Sequence, residues 1–198
     1  MVNLDFATFP VIEEGSVFWK LPNDALKVIP DVYEKAVAAQ YMLFKMSEEP
    51  KSQNVPLQIS ARAHFRASLV EFAGIEEALI RNGYDFKIRK LPNPALHLLR
   101  LLRNYQVHFS SINFGNKDID IIWNSENHSI NVLVIDNITV QGLSELDAVK
   151  RYKNYSTEQL ENMVAHFNEQ QSKLGVYQFV LTCMNLYLTD VERLITSN

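Results

Sequence analysis

Cysteine is nearly absent from this chain of 198 residues, with Cys183 standing alone. A single thiol excludes an intrachain disulfide and a zinc site built on several cysteines. Glycine is also sparse. The six residues Gly15, Gly74, Gly83, Gly115, Gly142 and Gly175 are isolated from one another. Phosphate-cradling loops need clustered glycines, so a nucleotide kinase or a Rossmann enzyme is not expected. Positive charge is not in excess. Nineteen Lys and Arg face 23 Asp and Glu, for a net charge of -4. Coating of nucleic acid by bulk charge is thereby excluded, and any basic site must be local. Its best candidate is the stretch from Arg81 to Arg103, which also holds Lys87, Arg89, Lys90 and Arg100. Long apolar runs are missing too. The longest, Val176 to Leu188, is interrupted by Gln178, Thr182 and Asn185 and is too short to span a bilayer. The first residues carry Asp5, Glu13 and Glu14 and lack the basic-then-apolar order of a secretory signal. The expectation is a cytoplasmic protein with no membrane contact and no cofactor.

The chain is 47% hydrophobic and 21% charged, enough apolar material for one sizeable core. Residues 1–30 hold Pro10, Pro22 and Pro30 among Phe6, Phe9, Phe18 and Trp19. This composition predicts a non-helical arm packed on the body. Asp31 is the expected cap of a helix to Ser47, burying Val32, Ala36, Ala39, Tyr41, Leu43 and Phe44. A second helix is predicted from Leu57 to Asn82, with Ile59, Ala63, Ala67, Val70, Ala73, Ile75, Ala78 and Leu79 inward and Asn82-Gly83 as its stop. Asn93-Pro94 opens a third, to His108. Alternation in Asp118-Ile119-Asp120-Ile121 and around Ile130, Val132 and Val134 predicts an antiparallel meander of about three strands. A short helical stretch follows near 145–152. Ser156 then opens a long helix ended by Gly175, and a last helix runs from Val176 to Ile195 with a wide apolar face that would suit a homodimer. The fold class expected is mainly α. It is a single domain over 1–198, an antiparallel up-and-down bundle of four to five long helices with the arm at 1–30 and a small β-meander insert near 109–140.

The third helix carries the chemistry. At about 100° per residue, His97, Arg100, Asn104 and His108 fall within roughly 80° of one another, opposite Leu98, Leu99, Leu102, Tyr105 and Phe109. Arg103 sits about 140° from His108, on the flank of this stripe. Cutting RNA without a metal needs a base for the 2′-hydroxyl, an acid for the leaving 5′-oxygen and a cation for the phosphorane. Histidine suits the first two roles and arginine the third. The order Arg103-Asn104-x-x-x-His108 resembles the signature of the HEPN superfamily (higher eukaryotes and prokaryotes nucleotide-binding domains). The resemblance covers the helical parts, 31–108 and 144–197. It implies a dimer in which two motifs meet, with His108 as acid or base, Arg103 as phosphate clamp and Asn104 as support. His97 and Arg100 would extend the RNA-binding line. Ser68 and Glu71 on the preceding helix match the polar residues that face the motif in the superfamily. Two positions depart from it. Ser110 stands where toxin-type members often have tyrosine, and the strand insert after His108 is larger than in minimal members.

Other constellations are weaker. Asp118 and Asp120 share one face of a strand, and Asp136 or His128 could complete a metal site, but a solvated strand face accounts for them. No His has Glu three residues before it, which removes a di-iron bundle. Ser110-Ser111 lacks the turn of a serine hydrolase. Two functions are therefore expected to compete. One is a metal-independent endoribonuclease of toxin or defence type, with an RNA substrate and a separate antitoxin-like partner chain. The other is a non-catalytic helical module that binds protein or nucleotide.

Overall fold

The computed structural model describes residues 2–12, 21–48, 55–108, 112–123 and 125–197, with the side chains of 107, 108 and 123 also outside the described set. The chain is mainly helical, with a small two-stranded antiparallel sheet. Helix α1 spans Pro30–Lys45, α2 Leu57–Arg81 and α3 Pro94–His108. The strands β1 (Phe114–Trp123) and β2 (Glu126–Ile135) follow, then the short α4 (Val140–Ser144) and α5 (Asp147–Lys150), and finally α6 (Thr157–Thr196).

Local chemistry explains most boundaries. Pro30 begins α1, so Asp31 lies inside the first turn and does not cap it. Its carboxylate still favours the positive end of the helix dipole. Asn93 caps α3, with its Oδ1 accepting from Ala95 N at 2.9 Å and proline following. Ser156 and Gln159 form a capping box at the start of α6. At Leu174–Gly175 the helix breaks, and Gly175 has φ +80°. Phe167 and Phe179 nevertheless meet edge to face, with ring centroids 5.2 Å apart. Twelve helical positions span about 18 Å in a straight helix, so the chain turns sharply between these rings. Both halves, 157–173 and 176–196, therefore face one core, as the two expected helices required.

Helices α1 and α2 pair antiparallel. Asp31 faces Arg81, Lys35 faces Glu71, and Ala39 O accepts from Ser68 Oγ at 2.7 Å. The buried face of α2 consists of Ala61, Phe65, Ser68, Leu69, Phe72, Ile75, Ala78 and Leu79. This differs from the expected stripe, because Ile59 and Val70 are exposed. On α1, Tyr41 and Phe44 are likewise exposed. The large Phe65 and Phe72 set the orientation of α2, since burying an aromatic removes more apolar surface from water than burying alanine. The face expected for the last helix is buried throughout, from Val176 and Phe179 to Val191 and Ile195.

Among the described residues the insert is a hairpin of two strands, in register from Phe114↔Ile135 to Trp123↔Glu126, and not a meander of three. After Ile135 the chain leaves for α4, so no third strand pairs with the hairpin among the described residues. One face of the hairpin packs Ile121, Ile130 and Val132 against a satellite cluster of Ile12, Ile119 and Leu174 at the break in α6. Gln171 fixes the strand end: its Nε2 donates to Ile135 O at 2.9 Å, and its Oε1 accepts from Ile135 N at 2.8 Å. The arm packs on the body where it is described. Phe9 stacks on His166 and Phe179, Asp5 N donates to Pro92 O at 2.9 Å, and Val2 N donates to Asn154 O at 2.8 Å. Phe18, Trp19 and the rest of 13–20 lie outside the described residues.

A side chain at 175 is refused twice, by the positive φ and by space. A Cβ there would sit 2.9 Å from Val132 Cβ and 3.0 Å from Leu133 O. Gly175→Ala is expected to destabilise the protein by about 2–4 kcal/mol, combining left-handed strain with a backbone clash. The urea midpoint of the variant checks this.

Candidate functional site

The two ends of α3 differ in their surroundings. From Ala95 to Leu99 every residue is buried, with His97 bonded to Leu91 and Tyr155 and the arm hydrogen-bonded to Pro92 and Asn93 just before the helix. From Arg100 onward polar residues emerge, and Arg100, Arg103 and Asn104 are half-buried. This asymmetry corrects the expected stripe. His97 is fully buried and has no access to RNA.

His97 is instead a structural bridge. Its Nε2 lies 2.8 Å from Leu91 O and its Nδ1 2.8 Å from the Tyr155 hydroxyl. A carbonyl only accepts, so Nε2 carries the hydrogen and donates, and Nδ1 accepts from Tyr155. The ring is neutral in this arrangement. Burial pushes the His97 pKa below its usual value, the nearby Arg100 charge acts the same way, and the Leu91 carbonyl opposes them. Burial also raises the Tyr155 hydroxyl to about 12, which keeps it a donor.

Ser68 is fully buried and bonded to α1, so it does not face the motif. Glu71 is paired with Lys35 at 3.2 Å, also toward α1. Neither joins Arg103. The basic stretch is partly neutralised as well. Arg81 pairs with Asp31, and Lys87 and Lys90 both pair with Asp85, holding that carboxyl down at about 2. Arg100 and Arg103 have no carboxylate partner among the described residues.

Arg103 and Asn104 are brought together. Arg103 Nη1 donates to Asn104 Oδ1 at 3.1 Å, and Arg103 Nε is buried without a hydrogen-bond partner. Such a donor costs about 1–3 kcal/mol unless something accepts from it. Asn104 also lines an open cleft of about 500 Å³, whose other walls are Glu145, Leu146, Asp147, Ala148, Arg151 and Tyr152. Just before these residues α4 lies close against α3. A Cβ on Gly142 would be 2.9 Å from the Tyr105 ring, so only glycine permits this approach. Lys150 pairs with Glu145, and Arg151 lies 3.9 Å from Asp147. Tyr152 is 71% exposed. Sequence reading missed these cleft residues, although basic and aromatic residues interleave in Lys150-Arg151-Tyr152-Lys153, a pattern that suits nucleic acid. The backbone of His108 closes α3, one turn beyond Asn104, but its side chain lies outside the described residues, as do Phe109 and Ser110.

On the hairpin, Asp118 accepts from Asn131 Nδ2 at 2.7 Å, and both Asp118 and Asp120 are exposed. Among the described residues no three His, Cys, Asp or Glu side chains are grouped as metal ligands, and no helix is long and apolar enough to cross a membrane. No protein-family model matches this chain, and no curated protein or solved structure is significantly similar to it.

The His97 bridge has a pH signature. The folded state favours the neutral ring, whereas an unfolded histidine takes up its proton near pH 6.5. Its contribution to stability is therefore complete above about pH 6.5 and declines as the pH falls from there through the lowered folded pKa. His97→Ala is expected to cost about 2–4 kcal/mol at pH 7.5, from unmet hydrogen bonds and a cavity, and to flatten this part of the profile. Urea unfolding of both proteins across pH 4.5–8 (~) tests the sign.

Proposed function

We propose that the protein is a HEPN-like, metal-independent endoribonuclease of toxin or defence type. In this reading its helices form the up-and-down bundle of that superfamily, and it acts as a homodimer held in check by a separate antitoxin-like chain. The observation that carries the reading is the joined pair Arg103 and Asn104 at the emergent end of α3, with no carboxylate on the arginine among the described residues and with Asn104 on a cleft wall. With Nε buried and Nη1 shared with Asn104, an arginine free of acidic partners still keeps its whole charge and its remaining Nη donors for phosphate oxygens.

The chemistry follows from these side chains. One His108 removes the proton of the ribose 2′-hydroxyl, whose oxygen attacks the adjacent phosphorus. The bond from phosphorus to the 5′-oxygen breaks, and the second His108 of the dimer protonates that oxygen. The products are a 2′,3′-cyclic phosphate and a 5′-hydroxyl. Arg103 offsets the charge on the phosphorane, and Asn104 keeps Arg103 in place. Arg100, one turn before Asn104, adds cationic charge along the same face.

The carboxylates Glu145 and Asp147 beside Asn104 favour a second reading. Acidic walls repel a phosphate chain, and a non-catalytic module that binds nucleotide or protein through this cleft would tolerate them.

The purified protein is expected to cut folded RNAs, tRNA included, with EDTA present. His108→Ala and Arg103→Ala should each lower the rate about 100-fold or more. Absence of cleavage by the parent protein on every RNA would leave the binding-module reading.

A further inference from the structure

The charges of the Asn104 cleft divide a nucleotide into two parts. Glu145 and Asp147 on the cleft wall are offset by Lys150 and Arg151, so that side carries little net charge, whereas Arg100 and Arg103, on α3 beside the lining residue Asn104, have no carboxylate partner among the described residues. A bound nucleotide thus lies with its phosphate toward α3 and its base toward α5. The cleft is large enough for a base. Its volume of about 500 Å³ is within the roughly 300–1,000 Å³ of small-molecule sites. It also supplies a platform: Tyr152 lines the cleft and is 71% exposed. An aromatic face left in water beside polar groups suits stacking with a base, and a base is free to stack there only when it is unpaired.

The acidic wall selects the base. A carboxylate has two acceptors and no donor. Guanine alone among the four RNA bases presents two adjacent donors, N1–H and N2–H2, that a carboxylate can take together. Uracil presents one donor between two acceptors. Asp147 is the freer of the two acids. Its contact with Arg151 is 3.9 Å and its side chain is 83% exposed, whereas Glu145 is held by Lys150.

We infer that the cleft between α3 and α5 is a recognition pocket for one unpaired guanosine of an RNA, with the base stacked on Tyr152 and its donor edge on Asp147. The inference rests on the endoribonuclease reading for what happens to the RNA, but the pocket makes its own prediction about binding.

The test separates the two. The full chain is titrated with a fluorescein-labelled oligouridine carrying one central guanosine, 2′-O-methylated throughout so that it resists cleavage, and polarisation is followed. Tyr152→Ala is expected to weaken binding about tenfold, the effect of losing one base–aromatic stack, while Tyr152→Phe stays within about twofold. Asp147→Asn should lower the preference for the guanosine oligomer over plain oligouridine about tenfold. The exposure of both side chains leaves the core intact in these variants. Unchanged binding by Tyr152→Ala, or equal binding of the two oligomers by the parent protein, overturns the pocket even if the parent protein cuts RNA. Guanosine-selective binding that depends on Tyr152, in a protein that never cuts unmodified RNA, sustains the pocket and overturns the endoribonuclease reading.

Discussion

The break at Leu174–Gly175 is the constraint on which the rest of the fold depends. A straight helix over Thr157–Thr196 would reach about 60 Å, far beyond a core of this size. Turning at Gly175 brings Phe167 onto Phe179 and lets both halves face the same interior. The turn also makes a seat for the hairpin. Val132 and Leu133 occupy the space that a side chain at 175 would need, and Ile119 and Leu174 close a small cluster beside it. One backbone conformation therefore fixes the path of the longest helix and the position of the sheet.

Helix α3 shows how one element serves structure and chemistry in succession. Its first half is enclosed on every side, so the polar atoms of His97 need internal partners, and Leu91 and Tyr155 supply them. Its second half emerges next to α4 and α5, where Arg103 and Asn104 meet each other beside a cleft. The enclosed half holds the axis of the helix still, and the emergent half benefits from that rigidity, since side chains that bind phosphate must be held in place before the ligand arrives.

Much of the fold was legible in the sequence, because punctuation and periodicity report local preferences. Asn93-Pro94, Asn82-Gly83, Ser156 and Gly175 act where their chemistry says they should. Size and environment were harder to read. Small alanines on α2 suggested one face, but Phe65 and Phe72 chose another. Helical spacing placed His97 with Arg100 and Asn104 correctly around the axis. It could not show that Tyr155 closes over His97, because that contact joins residues far apart in the chain. Ser68 and Glu71 were legible as polar but not as partners of α1. The cleft is legible only in three dimensions, since Asn104 and Tyr152, far apart in the chain, line it together.

Gln171 has a consequence for how the molecule breathes. Its amide takes both backbone groups of Ile135, acting as a one-residue strand offered by a helix. A lone two-stranded hairpin frays from its ends in water. Here the Ile135 end is clamped by Gln171, and the opposite end is the turn that includes Ser125. Deuterium uptake should thus advance along the hairpin from the turn, with the Ile135 amide opening only when α6 itself gives way. Gln171 thus ties the hairpin to the first half of α6, although the two are separate in the chain.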